Sequence, residues 1–189
     1  MKLNKIIIAA FLAGLTTAVF SQKDEELVYK KPEVPVDQTT NKITYTKVVE
    51  TAGTKDDLYK KATTWFNTYY NNPSEVVREK DPEAGKIIGK GRLKILNPPD
   101  KKGVQTMKGI VMYTFTTEFK EGRLKYTLTD INLKAQSYYA CETWLDSESK
   151  TWSQVYNYFL QQVHDQVSET LASFEKHMTS AATEANDDW

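Results

Sequence analysis

This chain holds little of the material that metal or thiol chemistry needs: two His and one Cys in 189 residues. His164 and His177 are thirteen positions apart, which on one helix turns them about 140° away from each other. They cannot share a metal there, no third ligand lies nearby, and each is expected to be a solvated helix residue. Cys141 has no second Cys to pair with. Its setting, Tyr138-Tyr139-Ala140-Cys141, reads as a buried small hydrophobe, and no adjacent base would lower the thiol pKa. No Gly-x-Ser-x-Gly elbow occurs. Gly89-Lys90-Gly91 has Lys94 where a phosphate loop needs a third Gly, and it falls inside a strand pattern rather than before a helix. Glycines on the core face of a strand are instead expected to let a helix backbone approach closely. Carboxylates are plentiful, but none stands in a visibly apolar setting that would raise its pKa. No catalytic residue, metal or cofactor is therefore expected, and the chain does not read as an enzyme.

A basic surplus is missing too. Twenty-five Lys and Arg balance 25 Asp and Glu, with a sequence pI near 6.7, which argues against a nucleic-acid partner because gripping phosphates requires excess positive charge. Long apolar runs are absent after the first twenty residues.

What is present begins with that N-terminal run. Lys2 and Lys5 precede the apolar stretch Ile6 to Leu15, and Val19 and Ser21 occupy the small-residue positions of a cleavage site. Ile6 to Phe20 falls short of the roughly 20 residues that cross a bilayer. Residues 1–21 are thus expected to be a signal peptide, and the mature chain is expected to start at Gln22, periplasmic or secreted. No Cys follows the apolar run, so lipoprotein acylation is not expected. Losing Lys2 and Lys5 leaves 23 basic against 25 acidic side chains. Residues 22–40, with Pro32 and Pro35, read as a flexible linker that buries little. Residues 41–178 read as a single domain, and 179–189 as a disordered tail.

Within the domain the periodicity switches in an informative order. Residues 43–50 are β-branched and aromatic, as in a strand. Thr54 is a suitable N-cap for a helix over 55–71, with Asp56 and Asp57 in its first turn and Leu58, Ala62, Trp65, Phe66 and Tyr69 on one stripe. Four strands are expected over 75–80, 86–96, 106–119 and 123–134. Lys120-Glu121-Gly122 forms a tight turn between the last two. The apolar phase flips near Asp130, the signature of a bulge or a strand end. Apolar residues from Trp152 to Met178 then recur at spacings of three and four, and Thr151 with Gln154 resembles a capping box. About 40 Å of helix would result, long enough that its last turns are expected to project or kink. Strands apolar on one side and helices with one apolar stripe predict an α+β two-layer sandwich: an antiparallel sheet with two helices on one face.

Three segments carry a family resemblance. Lys42 to Glu50, Leu58 to Phe66 and Gly85 to Gly91 resemble recurring blocks of a bacterial family of unknown function with a TATA-binding-protein-like fold. The likeness spans roughly residues 41–135. It implies a curved sheet, an exported protein and no established activity, and it carries over no catalytic or ligand residue. The fold would not imply DNA binding, since such a sheet needs a basic, wedge-bearing surface for that role.

One constellation invites a function. The face of the sheet away from the helices gathers Lys90, Arg92, Lys94, Arg123 and Lys125, with Thr114, Thr116, Thr127 and Thr129 beside them. Solvated strands use Lys and Thr freely. As a site, this face would take an anionic glycan, a lipid headgroup or an acidic envelope protein. The expected function is a non-enzymatic binding or interaction module of the cell envelope. The alternatives are a structural accessory pairing through the long C-terminal helix and, further off, an enzyme with an unrecognised site.

Overall fold

Alternation builds the sheet and helical spacing builds the layer that covers it. In a computed structural model, which describes residues 28–180, the chain runs β1 (Tyr45–Glu50), α1 (Lys55–Tyr69), α2 (Pro73–Val76), β2 (Val77–Asp81), β3 (Lys86–Leu96), β4 (Met107–Lys120), β5 (Arg123–Lys134), β6 (Tyr138–Ala140), a 3-10 turn (Cys141–Leu145) and α3 (Val155–Thr179). The strands form one antiparallel sheet in the order β1-β5-β4-β3-β2, with β6 extending the β1 edge against the far end of β5. The expected α+β sandwich is what the chain forms.

In β3, Ile87, Gly89, Gly91, Leu93 and Ile95 point inward and are buried, while Lys90, Arg92 and Lys94 are exposed. β4 and β5 alternate the same way. The phase flip is a bulge: Asp130 has φ 55°, and the register slips between Met112 and Thr114. The extra residue returns Ile131 to the inner face, where it is fully buried.

The helices cover that inner face. Thr54 caps α1 with its hydroxyl accepting from the Asp57 N–H, and Asp57 reaches back to the Thr54 N–H. Trp65 of α1, Phe115 of β4 and Phe174 of α3 meet with ring centroids 5.0–5.9 Å apart. Such edge-to-face triples suit the aromatic quadrupole. Gln162 of α3 exchanges two hydrogen bonds with the Leu96 backbone at 2.9 and 3.0 Å, fixing how the helix lies along β3.

Several expectations are corrected. Residues 75–80 do not form one strand. Pro73, whose fixed φ suits a first helical turn, starts the short α2 before β2 begins at Val77. The capping box at Thr151 does not form: Gln154 precedes α3 with no side-chain cap, and the Trp152 indole donates to the Trp144 carbonyl instead. The end of α3 does not project: Phe174 and Met178 in its last turns are fully buried. Its 25 residues span about 37 Å, which matches the length of β5. Thr51 and Lys61 both donate to the Met178 carbonyl, fastening the last turn.

The packing also reaches back before the expected domain boundary. Pro32 is buried, Val34 and Val36 pack on the core, and Val36 bridges Ile43. Asn157 donates to the Tyr29 carbonyl, 2.9 Å away. Residues 28–40 thus lie along the domain rather than free of it. The expected signal peptide (1–21), the first part of the expected linker (22–27) and residues 181–189 of the expected tail lie outside the described residues.

Candidate functional site

The five cations singled out in the sequence all sit, exposed, on the sheet face opposite α1 and α3. The strand register shows how far they gather. Lys90 lies beside Thr114 and Arg92 beside Met112; Lys125 lies beside Glu118 and Arg123 beside Lys120. Lys90 and Lys125 are two strands and four residues apart, about 17 Å at ordinary strand spacing. The structure therefore divides the expected single face into two groups. Between them runs a threonine stripe, Thr114 and Thr116 on β4 beside Thr129 and Thr127 on β5, whose β5 hydroxyls are committed. Thr44 bonds Thr129 at 3.0 Å, and Thr46 bonds Thr127 at 3.2 Å.

The groups differ in character. On β3, Arg92 is held by Glu75 of α2 at 2.6 Å, so one of its three charges is already answered. On the β4–β5 hairpin, Arg123 and Lys125 join Lys120 around a hollow of about 340 Å³, lined also by Val48, Leu124 and Glu118. Three cations face Glu118, and Glu50 of β1 is the register partner of Arg123, so the hollow keeps a local excess of one positive charge in a chain that is neutral overall. That excess attracts an anion, at about 0–1 kcal/mol for each exposed pair. Lys120 escaped the sequence reading because it was assigned to the turn. Its register partner Arg123 was the available signal: one residue before a tight turn still belongs to the ladder.

Other concave regions offer less. A hollow of about 540 Å³ beside α2 and β2 sets Arg78 and Lys80 around Glu79. A groove of about 450 Å³ between α1 and α3 includes Trp65 and His177, but its polar atoms are engaged: the Trp65 indole donates to Ser173, and His177 Nε2 lies 3.1 Å from the Lys61 carbonyl. The outward side of α3 carries exposed Gln161, Asp165, Ser168, Glu169, Ala172 and Lys176, with no apolar stripe for a helical partner.

The residues with chemical potential are structural in their contacts. Cys141 is fully buried, as expected, and burial pushes its thiol well above the ordinary range. The two histidines are half-buried rather than solvated: His164 Nδ1 lies 3.0 Å from the Tyr45 hydroxyl, while His177 meets α1. Each faces a different element because of the rotation between them. Among the described residues no group of three His, Cys, Asp or Glu could hold a metal. The glycines of β3 make room for rings, not for a helix backbone. A Cβ at Gly91 would lie 2.1 Å from Tyr113 Cζ, and one at Gly89 would lie 2.9 Å from Phe66 Cε1. Tyr113, thus laid across the sheet, bonds Tyr70 at 2.9 Å, and burial lifts its hydroxyl to about 12. Among the described residues no helix is long and apolar enough to cross a membrane.

Comparison with known proteins finds a family whose model matches part of the chain. Residues 45–134 match the family described as a domain of unknown function (DUF4468) with TBP-like fold. A solved DUF4468 family protein from Bacteroides ovatus superposes with a TM-score of 0.62 at 17% identity, over 79% of this chain and 92% of that one. A TBP-like protein from Parabacteroides distasonis gives 0.52 at 13% identity, over 75% and 97%. At such identities the likeness speaks for the fold alone. No curated protein matches the sequence.

Proposed function

We propose that this chain, whose residues 45–134 form a DUF4468 domain with a TBP-like fold, is an exported, non-enzymatic binding module that takes an acidic glycan on its outer sheet face. The observation that carries the reading is the hollow at the β4–β5 hairpin. Lys120, Arg123 and Lys125 surround it, and the exposed side chain of Val48 gives it apolar surface. A carboxylate or phosphate would meet the cations while the carbon face of a sugar lies on the aliphatic groups. The family carries no assigned activity, so the site is argued from its own chemistry.

Binding without catalysis is supported by how the reactive groups are spent. Cys141 is sealed in the core, and both histidines hold tertiary hydrogen bonds. Export is supported by Lys2 and Lys5 before Ile6 to Leu15, with Val19 and Ser21 ahead of the expected cut. Sequencing the N-terminus of protein recovered from envelope and medium should give Gln22; an intact Met1 throughout would overturn that part.

The site is tested by mapping amide NMR shifts during titration with oligogalacturonate. Shifts should concentrate on Val48 and on residues 118–125, and should vanish in K120Q/R123Q/K125Q. Shifts confined to the α1–α3 groove would move the site elsewhere.

A further inference from the structure

The hairpin hollow occupies one end of the sheet; the opposite end has another surface. Seven large hydrophobic side chains are exposed among the described residues, and five of them gather there: Val28, Val104, Met107, Tyr138 and Tyr139. Val104 belongs to the loop joining β3 to β4, Met107 opens β4, and the tyrosines lie on β6. Val28 precedes Tyr29, whose ring packs on Tyr158 at 4.9 Å; the Tyr158 hydroxyl accepts from Gln105 of the same loop.

Cations are interleaved with these groups. The register sets Tyr138, Lys134, Ile110 and Lys94 side by side on the outer face. Across four strands this row measures about 14 Å. Lys94 and Lys134 are exposed, and neither takes part in an ion pair among the described residues. The nearby carboxylate of Asp100 is occupied by the N–H groups of Lys102 and Val104 in its own loop.

Exposed apolar tips among lysines are costly in water and favourable where acyl chains meet headgroups. Apolar tips enter the acyl boundary and ammonium groups meet phosphates. Tyrosine suits that boundary, with an apolar ring and a wet hydroxyl. The chain also enters the domain at this end.

We propose that this end of the domain docks on a bilayer surface containing anionic phospholipid, with Tyr138, Met107 and Val104 at the acyl boundary and Lys94 and Lys134 on the headgroups. The inference goes beyond glycan binding and does not rest on it, since β5 spans about 37 Å from this end to the hollow. Docked in this way, the molecule would present the hollow away from the membrane.

The test is co-sedimentation of residues 22–189, which contain every described element, with vesicles of phosphatidylglycerol and phosphatidylethanolamine or of phosphatidylcholine alone, in about 0.1 M salt. The anionic vesicles should bind the protein and the neutral ones should not. V104S/M107S/Y138S and K94Q/K134Q should each weaken binding at least about tenfold, as expected when both apolar insertion and charge attraction are needed. K120Q/R123Q/K125Q, altered only at the far end, should bind as wild type. The proposal is overturned if anionic vesicles fail to bind the protein. It is equally overturned if the apolar triple variant binds normally, or if the far-end variant loses as much as K94Q/K134Q. All the substituted side chains are exposed, so folding is not at stake in the comparison.

Discussion

A single missing Cβ decides how Tyr113 packs. With 2.1 Å between the site of a Gly91 Cβ and the Tyr113 ring, Gly91→Ala must displace a buried tyrosine and its bond to Tyr70. Overpacking of this kind costs about 1–3 kcal/mol. Gly122 has nothing within 4 Å but sits at φ 71°, so Gly122→Ala should cost about 1–2 kcal/mol through the backbone alone. Urea denaturation should show G91A alone also changing the near-UV tyrosine signal. Cys141, buried with its thiol pushed up, should react with a maleimide only after unfolding; rapid native labelling would contradict its placement.

Glu175 carries the pH prediction. Burial works to raise its pKa, but the Lys47 and Tyr126 hydrogen bonds outweigh burial and hold the carboxyl below the usual range. A lowered folded pKa contributes stability that is present above the unfolded value, about 4.3, and is lost as pH falls through the folded one. E175Q should therefore be less stable than wild type at pH 7, and the gap should close on acidification towards pH 3. A gap independent of pH would refute the ionic contribution. At this scale the sequence was legible where neighbours along the chain set the answer, as for Cys141. It was opaque where the partner is remote: His164 meets Tyr45 119 positions away, and no local pattern announces that.

Elements follow their signals when the signals are long. The helix over α1, the three long strands and the bulge at Asp130 were all readable, because ten or more alternating or helically spaced residues leave one consistent face. The three residues of β6 and the four of α2 are too short for a period, and tertiary pairing defines them. Capping shows the same contrast. Thr54 closes a reciprocal cap on α1, whereas Thr151 has a serine hydroxyl for a neighbour and caps nothing. Thr54→Ala should cost about 1 kcal/mol and Thr151→Ala almost nothing, read as a difference in urea midpoints at constant slope. Equal losses would mean that α3 starts earlier than Val155.

For the whole molecule, neutrality of the count conceals separation of the charge. The outer-face cations were readable from alternation, but their division into two groups was not. That division depends on register across β4 and on Glu75 arriving from α2 to hold Arg92. The curved sheet thus has one covered face that stabilises the fold and one uncovered face with distinct ends: a cationic hollow at the hairpin, and apolar tips with lysines where the chain enters. The length match between α3 and β5 keeps the helix within the domain, and its outward side is polar. The most direct test is calorimetric titration of the folded protein with oligogalacturonate, comparing wild type with K120Q/R123Q/K125Q and K90Q/R92Q/K94Q. Saturable binding that the hairpin variant loses at least about tenfold, about 1.4 kcal/mol, and the β3 variant keeps is the predicted result. Equal affinity in wild type and the hairpin variant, or no binding by wild type, would contradict it.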